Sequence, residues 1–252
     1  MNVLERAFAR MGARVEFAQV NRRSRFSGRI ASEDLALDVR RDQHGEYFQI
    51  SRAPASTTEL VVLDVQPIDR HLLLLSRSGA EKHRFLLGHD ERHWFAAAVP
   101  GDNVRDVRTA IESLRPTEVE GQNAIRQGEW FFVPAPGVDV FASVIYRNER
   151  LSRGSGSKPH ICEELVRRSG VAVMVSSAYP TGINLAGYDK LMATDPAARR
   201  MAWRRMVRDA EVYARGAVRH PDHKTIHLDG WHRVYMNRER FAPHAVQIAF
   251  LD

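Results

Sequence analysis

Cysteine is almost missing from this chain: Cys162 is the only one in 252 residues. An intrachain disulfide and a zinc site built mainly of thiolates are thereby excluded, and a reducing, cytoplasmic setting is the expectation. Long apolar runs are missing as well. Glu5, Arg6, Arg10, Arg14 and Glu16 interrupt the start of the chain, so no secretory leader is expected, and no later run is long enough to span a bilayer. No repeat period is visible, which excludes a solenoid or an array. An acidic balance is absent too: 37 Lys and Arg stand against 31 Asp and Glu, for a net charge of +6 at pH 7. The excess is mostly arginine, whose planar fork grips phosphate in two places at once. Nucleic acid, RNA first, or another polyanion is the expected partner, and a membrane is not.

What is present is a 44% hydrophobic content, enough to build a core. Its patterning predicts an α+β protein of two strand-rich sub-domains, mostly antiparallel sheets with a few packed helices. The first is expected over residues 1–116 and the second, carrying the candidate site, over residues 124–252, with a polar boundary at 116–123.

Val3, Leu4, Phe8 and Met11 recur at helical spacing before Gly12, which predicts a short opening helix with a glycine stop. Period-two alternation then takes over, with Val15, Phe17 and Val20, Leu35, Leu37 and Val39, Tyr47, Phe48 and Ile50, and Leu60 to Val65. Turns are expected at His44-Gly45, at Ser78-Gly79 and over residues 88–92, and the run 72–75 reads as a strand buried on both faces. A helix over 102–115, capped by Asp102, closes this half.

In the second half, residues 129–134 read as an aromatic strand with residues 138–146 as its neighbour. The stretch 151–158 is a Ser/Gly/Arg loop, 159–168 a brief helical turn, and 171–175 a buried strand. Residues 184–207 look helical with a break at Pro196. Strands are then expected at 212–218, 225–228, 234–236 and 245–251.

Four histidines, His220, His223, His227 and His232, crowd the last part of the chain. A turn at His220-Pro221-Asp222-His223 between two strands would hold its side chains together, with His227 and Thr225 on the face away from Ile226 and Leu228. Two chemistries suit such a turn. In one, His160, His220 and His223 act as general acid and base with Lys224, while Arg219, Arg153 and Lys158 hold phosphate and Glu129 assists. In the other, His220, Asp222 and His223, or a pair of them with His160, bind a divalent metal ion. The spacing matches neither a helical zinc-protease pair nor a zinc-deaminase signature, so no metal or other cofactor is required. The bland alternative is a structural hairpin whose histidines pair with Asp222 and Asp229 and stack on Trp231.

Four further features bear on function. His89 and His93 would make an i, i+4 pair on a helix, but Gly88 and Trp94-Phe95 favour a turn entering a strand, with His93 satisfied there. Arg126 beside Trp130, Phe131 and Phe132 would make a stacking platform for single-stranded nucleic acid if exposed, and a core strand if not. Arg199, Arg200, Arg204, Arg205 and Arg208 would form a basic ridge on a helix. Cys162, next to Glu163 and Glu164, is in the wrong electrostatic setting for a nucleophile.

The functional expectation is a histidine-dependent phosphodiester hydrolase of the ribonuclease type. The alternatives are a non-catalytic adaptor that binds nucleic acid or protein, and a metal-dependent hydrolase. Convergence of His160 on His220 and His223 separates a site from ordinary turns.

Overall fold

The computed structural model describes residues 2–19, 30–31, 35–54, 56–152 and 158–239. Val20, Arg153 and the strand expected at 245–251 lie outside them. The chain is an α+β protein of mostly antiparallel sheets with three α-helices among the described residues. It divides into two units, Met1–Thr117 and Glu118–Met236, with the described residues 237–239 belonging to the first. No helix among the described residues is long and apolar enough to cross a membrane.

The first unit opens with α1 (Val3–Arg10), where Asn2 and Glu5 cap each other's backbone and Gly12 follows at φ +77°. Strands β1 (Val15–Gln19), β2 (Ile30–Ala31), β3 (Leu35–Asp42) and β4 (Gly45–Arg52) form a sheet in the order β1-β4-β3-β2, in which β1 runs parallel to β4. Strands β5 (Glu59–Gln66), β6 (His71–Ser78), β7 (Glu81–Asp90) and β8 (His93–Val99) form an antiparallel meander. The apolar run on β6 is buried on both sides. Leu72 and Leu74 join Phe8, Phe48 and Trp94 in one cluster, while Leu73 packs with Val107, Ala110 and Leu114 of α2 (Val107–Leu114) in another.

That last helix begins later than the expected 102–115. Asp106, not Asp102, is the N-cap, its carboxylate accepting from the Thr109 amide, and the Val107 amide is held by Asp64. The exposed Asp102 instead lends its carbonyl to Arg84. The β7–β8 turn is also tighter than residues 88–92. His89 pairs with Trp94 and Asp90 with His93, so Gly88 lies inside β7, where a side chain would collide with His71 and Phe95.

The second unit is built on a six-stranded sheet. In chain order its elements are β9 (Ile125–Gln127), β10 (Trp130–Pro134), β11 (Tyr146–Leu151), β12 (His160–Arg168), β13 (Val171–Ser176), β14 (Tyr179–Asn184), α3 (Leu185–Thr194), β15 (Arg204–Arg208), β16 (Glu211–His220) and β17 (His223–Met236). The large sheet has the order β11-β12-β16-β17-β10-β9, and β14-β13-β15 make a smaller one. Trp130 and Phe132 on β10 enter a core with Leu151, Cys162, Leu165, Val218 and Leu228, while Phe131 and Val133 pack on Val119 on the other side. Val119 thus buries an apolar side chain in the stretch expected to be a polar boundary.

Here the helical expectations fail most. Residues 159–168 form a strand because Glu164 and Arg215 pair across β12 and β16, while the Glu163 carboxylate caps the Ala217 amide at a β-bulge. Residues 184–207 are α-helical only as far as Thr194, with Asn184 as N-cap; beyond Pro196 a single 3-10 turn (Ala198–Arg200) leads into β15, paired with β13. Residues 138–146 are no neighbour of β10, whose partners are β9 and β17. The strands expected at 225–228 and 234–236 are parts of the single, longer β17. On β13, Val173 is buried whereas Val171 is largely exposed.

Candidate functional site

The expected turn exists. His220 ends β16, His223 begins β17 opposite it, and Pro221 and Asp222 close the hairpin. The Asp222 amide donates to His220 Nδ1 at 3.1 Å, so the neutral ring carries its proton on Nε2, which donates to the Lys158 carbonyl at 3.3 Å. Lys158 Nζ in turn lies 2.7 Å from each carboxylate oxygen of Asp222. These bonds strap the hairpin to the chain segment that enters β12.

The strap brings in His160. Ile161 of β12 pairs with Arg219, so His160, one residue earlier, meets the hairpin tip. Its ring stacks on His220 at a centroid distance of 4.2 Å and lies 5.7 Å from that of His223, while His220 and His223 are 4.7 Å apart. Each histidine offers a ring nitrogen within 4.8 Å of the other two. His160 is completely buried, and Trp130 presents its ring edge-on from the core below, at 6.4 Å.

The β9–β10 turn closes the cluster from another side. Gly128, at φ +58°, sits so near that an added Cβ would lie 2.9 Å from His223 Nε2 and 3.5 Å from His160. Only glycine combines this backbone conformation with that approach. Gln127, buried beside it, donates to the carbonyls of Lys224 and Val218 and so ties the turn to the hairpin. Gln127 and Gly128 are the residues that sequence reasoning missed. They lie in the stretch between Arg126 and Trp130 that was read for its aromatics, and the contact of Gly128 with His223, far along the chain, was not legible there.

The electrostatics follow from burial. Desolvation, reinforced by the neighbouring His220 and His223, pushes the His160 imidazole down to about 3. Burial, with His223 beside it, also lowers His220. Both rings are neutral lone-pair donors at pH 7, so neither is the protonated acid of a two-histidine device. Among the described residues, both ring nitrogens of His160, Nδ1 of His223 and Oε1 of Gln127 are buried without a hydrogen-bond partner.

The expected helpers are spread around this centre. Lys158 is paired with Asp222, and Arg219 donates to Asn148 Oδ1 at 2.6 Å. Lys224 follows His223 on β17 and points its side chain to the opposite face by strand alternation. Glu129 is half-buried at the β9–β10 turn, and its charge bears on His220. Asp222 contributes no ligand atom to the three-histidine group. His227 is exposed on β17, and His232 is buried with Nδ1 at 3.0 Å from the Gly230 carbonyl.

The other candidates resolve into architecture. Trp130, Phe131 and Phe132 are all buried, so no stacking platform is open there. His89 and His93 lie on β7 and β8 instead of a helix. The arginine ridge does not form: Arg204, Arg205 and Arg208 alternate along β15, and Arg199 donates to the carbonyls of Met192 and Ala193 at the end of α3. Burial drives the Cys162 thiol up to about 12, with Glu149 instead of the adjacent Glu163 or Glu164 as its acidic neighbour. Compared with models of protein families, with curated proteins and with solved structures, the chain matches none.

Proposed function

We propose that this protein is a hydrolase that cleaves phosphodiester bonds, with RNA as the favoured polymer and the three-histidine cluster as its centre. One observation carries the reading: His160, sixty residues upstream of His220, is buried against both His220 and His223. Burial of an unsatisfied imidazole costs stability, so a working role for the cluster explains its place better than packing alone does.

Charge supports an anionic substrate. Lys158 and Arg219 flank His220, and Arg126 donates to the Gly128 carbonyl. In this reading the half-buried His223 takes the proton of the attacking water, and the cations steady the negative charge that grows on phosphorus-bound oxygen. Water adds across the P–O bond, and the proton passes from His223 to the departing alcohol. His160 and His220 keep the His223 ring in place. The lone, buried thiol of Cys162 goes with a cytoplasmic setting.

The test is cleavage of single-stranded RNA and of bis(p-nitrophenyl) phosphate by wild type and by His223→Ala. The variant is expected to lose on the order of 10²–10⁴-fold in kcat/KM while its circular dichroism stays unchanged. A wild-type protein inert toward both substrates, or a fully active His223→Ala, would sink the proposal.

A further inference from the structure

We infer that His160, His220 and His223 together bind one divalent transition-metal ion. The three come from β12, β16 and β17, adjacent strands of one sheet, and their ligand nitrogens lie within 4.8 Å of one another. A tetrahedral ion holding nitrogens at about 2.0–2.1 Å sets them about 3.3 Å apart, so modest side-chain rotations close the gap. The unpartnered ring nitrogens of buried His160 and of His223 converge at this one place, where a cation would satisfy them.

The donor set selects the class of ion. Three imidazoles without a carboxylate suit zinc, cobalt, nickel, iron or copper, whereas calcium and magnesium require oxygen. Three protein ligands leave a coordination position for water or substrate. The supporting shell is also in place. His220 donates Nε2–H to the Lys158 carbonyl, the kind of outer bond that orients a ligating histidine, and its Nδ1 lone pair faces the Asp222 amide, with which the ion would compete. Trp130 below and Gly128 above wall the cluster with apolar and backbone surface.

This inference rests on the proposal above in treating the cluster as the working centre, but an ion held by the His223 lone pair would take over from that imidazole the activation of water, and its readout is separate. The 252-residue chain, untagged and stripped of metal with EDTA, is titrated with zinc chloride against a chromogenic chelator, and with cobalt chloride by visible absorption. Wild type should take up one equivalent of zinc and develop a tetrahedral cobalt band; His223→Ala should bind at least about a hundredfold more weakly. His160→Ala removes a buried ring, so its fold is checked by circular dichroism, and His223→Ala at the hairpin tip carries the conclusion. Zinc should also raise the Tm of wild type but not that of His223→Ala.

Equal zinc uptake by wild type and His223→Ala, or none by either, would overturn the metal site. Zinc binding without phosphodiester cleavage would retain the site and remove the hydrolase. Cleavage that persists after EDTA, with no zinc uptake, would do the reverse.

Discussion

Each unit packs histidines around a tryptophan, and the two arrangements differ in what the imidazoles face. In the first unit, His93 Nδ1 lies 2.6 Å from Glu46, whose other oxygen accepts the Trp94 amide at 2.9 Å. His89 meets the edge of Trp94 at 4.9 Å, His71 packs on Phe95 at 5.7 Å, and Arg70 covers the Trp94 ring. Each of these three histidines has a different neighbour of complementary character. In the second unit His160, His220 and His223 face one another, leaving lone pairs converging in a buried place. The same side chain therefore serves architecture when it meets a carboxylate or an aromatic face, and becomes a candidate for chemistry when it meets its own kind.

The largest way to break this contrast is Trp130→Ala. Trp130 is fully buried and floors His160, so about 3–5 kcal/mol of stability should go, read by urea denaturation. A loss below about 1 kcal/mol would mean the cluster does not stand on that core.

Next is Glu46→Gln, expected to cost about 2–3 kcal/mol near neutral pH because two bonds to a charged carboxylate are weakened. Its pH dependence has a definite sign. Burial alone would raise the Glu46 carboxyl, but the Trp94 amide and the His93 imidazole outweigh it and hold the group below its usual range. A depressed folded-state value makes this contribution complete above the ordinary carboxylate range and lost as pH falls through the folded value. The stability gap between wild type and Glu46→Gln should thus shrink as urea curves are taken from neutral pH into the acid range. A gap that widened instead would contradict the pairing.

Gly128→Ala should have the smallest effect on stability, about 1–2 kcal/mol for an L side chain at positive φ. Its added methyl presses on His223 and not on any histidine of the first unit. The His223 resonances should shift in a histidine NMR spectrum while those of His89 and His93 hold still. Shifts confined to the first unit would show that the turn does not wall the cluster.

Much of this was legible along the chain, and local physics explains which parts. Alternation marks a strand wherever one face is buried, so β3, β4 and β16 stood out, while β6 showed as a continuous apolar run and the hairpin at Pro221-Asp222 as a turn. The helical reading failed for 159–168 and for the part of 184–207 that became β15, because even good helix formers such as Glu, Leu, Met and Arg carry only a small preference per residue, which cross-strand pairing with β16 and β13 overrode.

By itself, then, the sequence determined the fold class, the turn that juxtaposes His220 with His223, and the availability of His160 as a third imidazole. Tertiary structure alone decided that His160 joins them, through the register of β12 on β16, and that Gly128 and Trp130 close the cluster from either side. The reason is physical: alternation and turn chemistry act over a few residues, whereas the meeting of strands sixty residues apart depends on pairing and burial across the whole sheet.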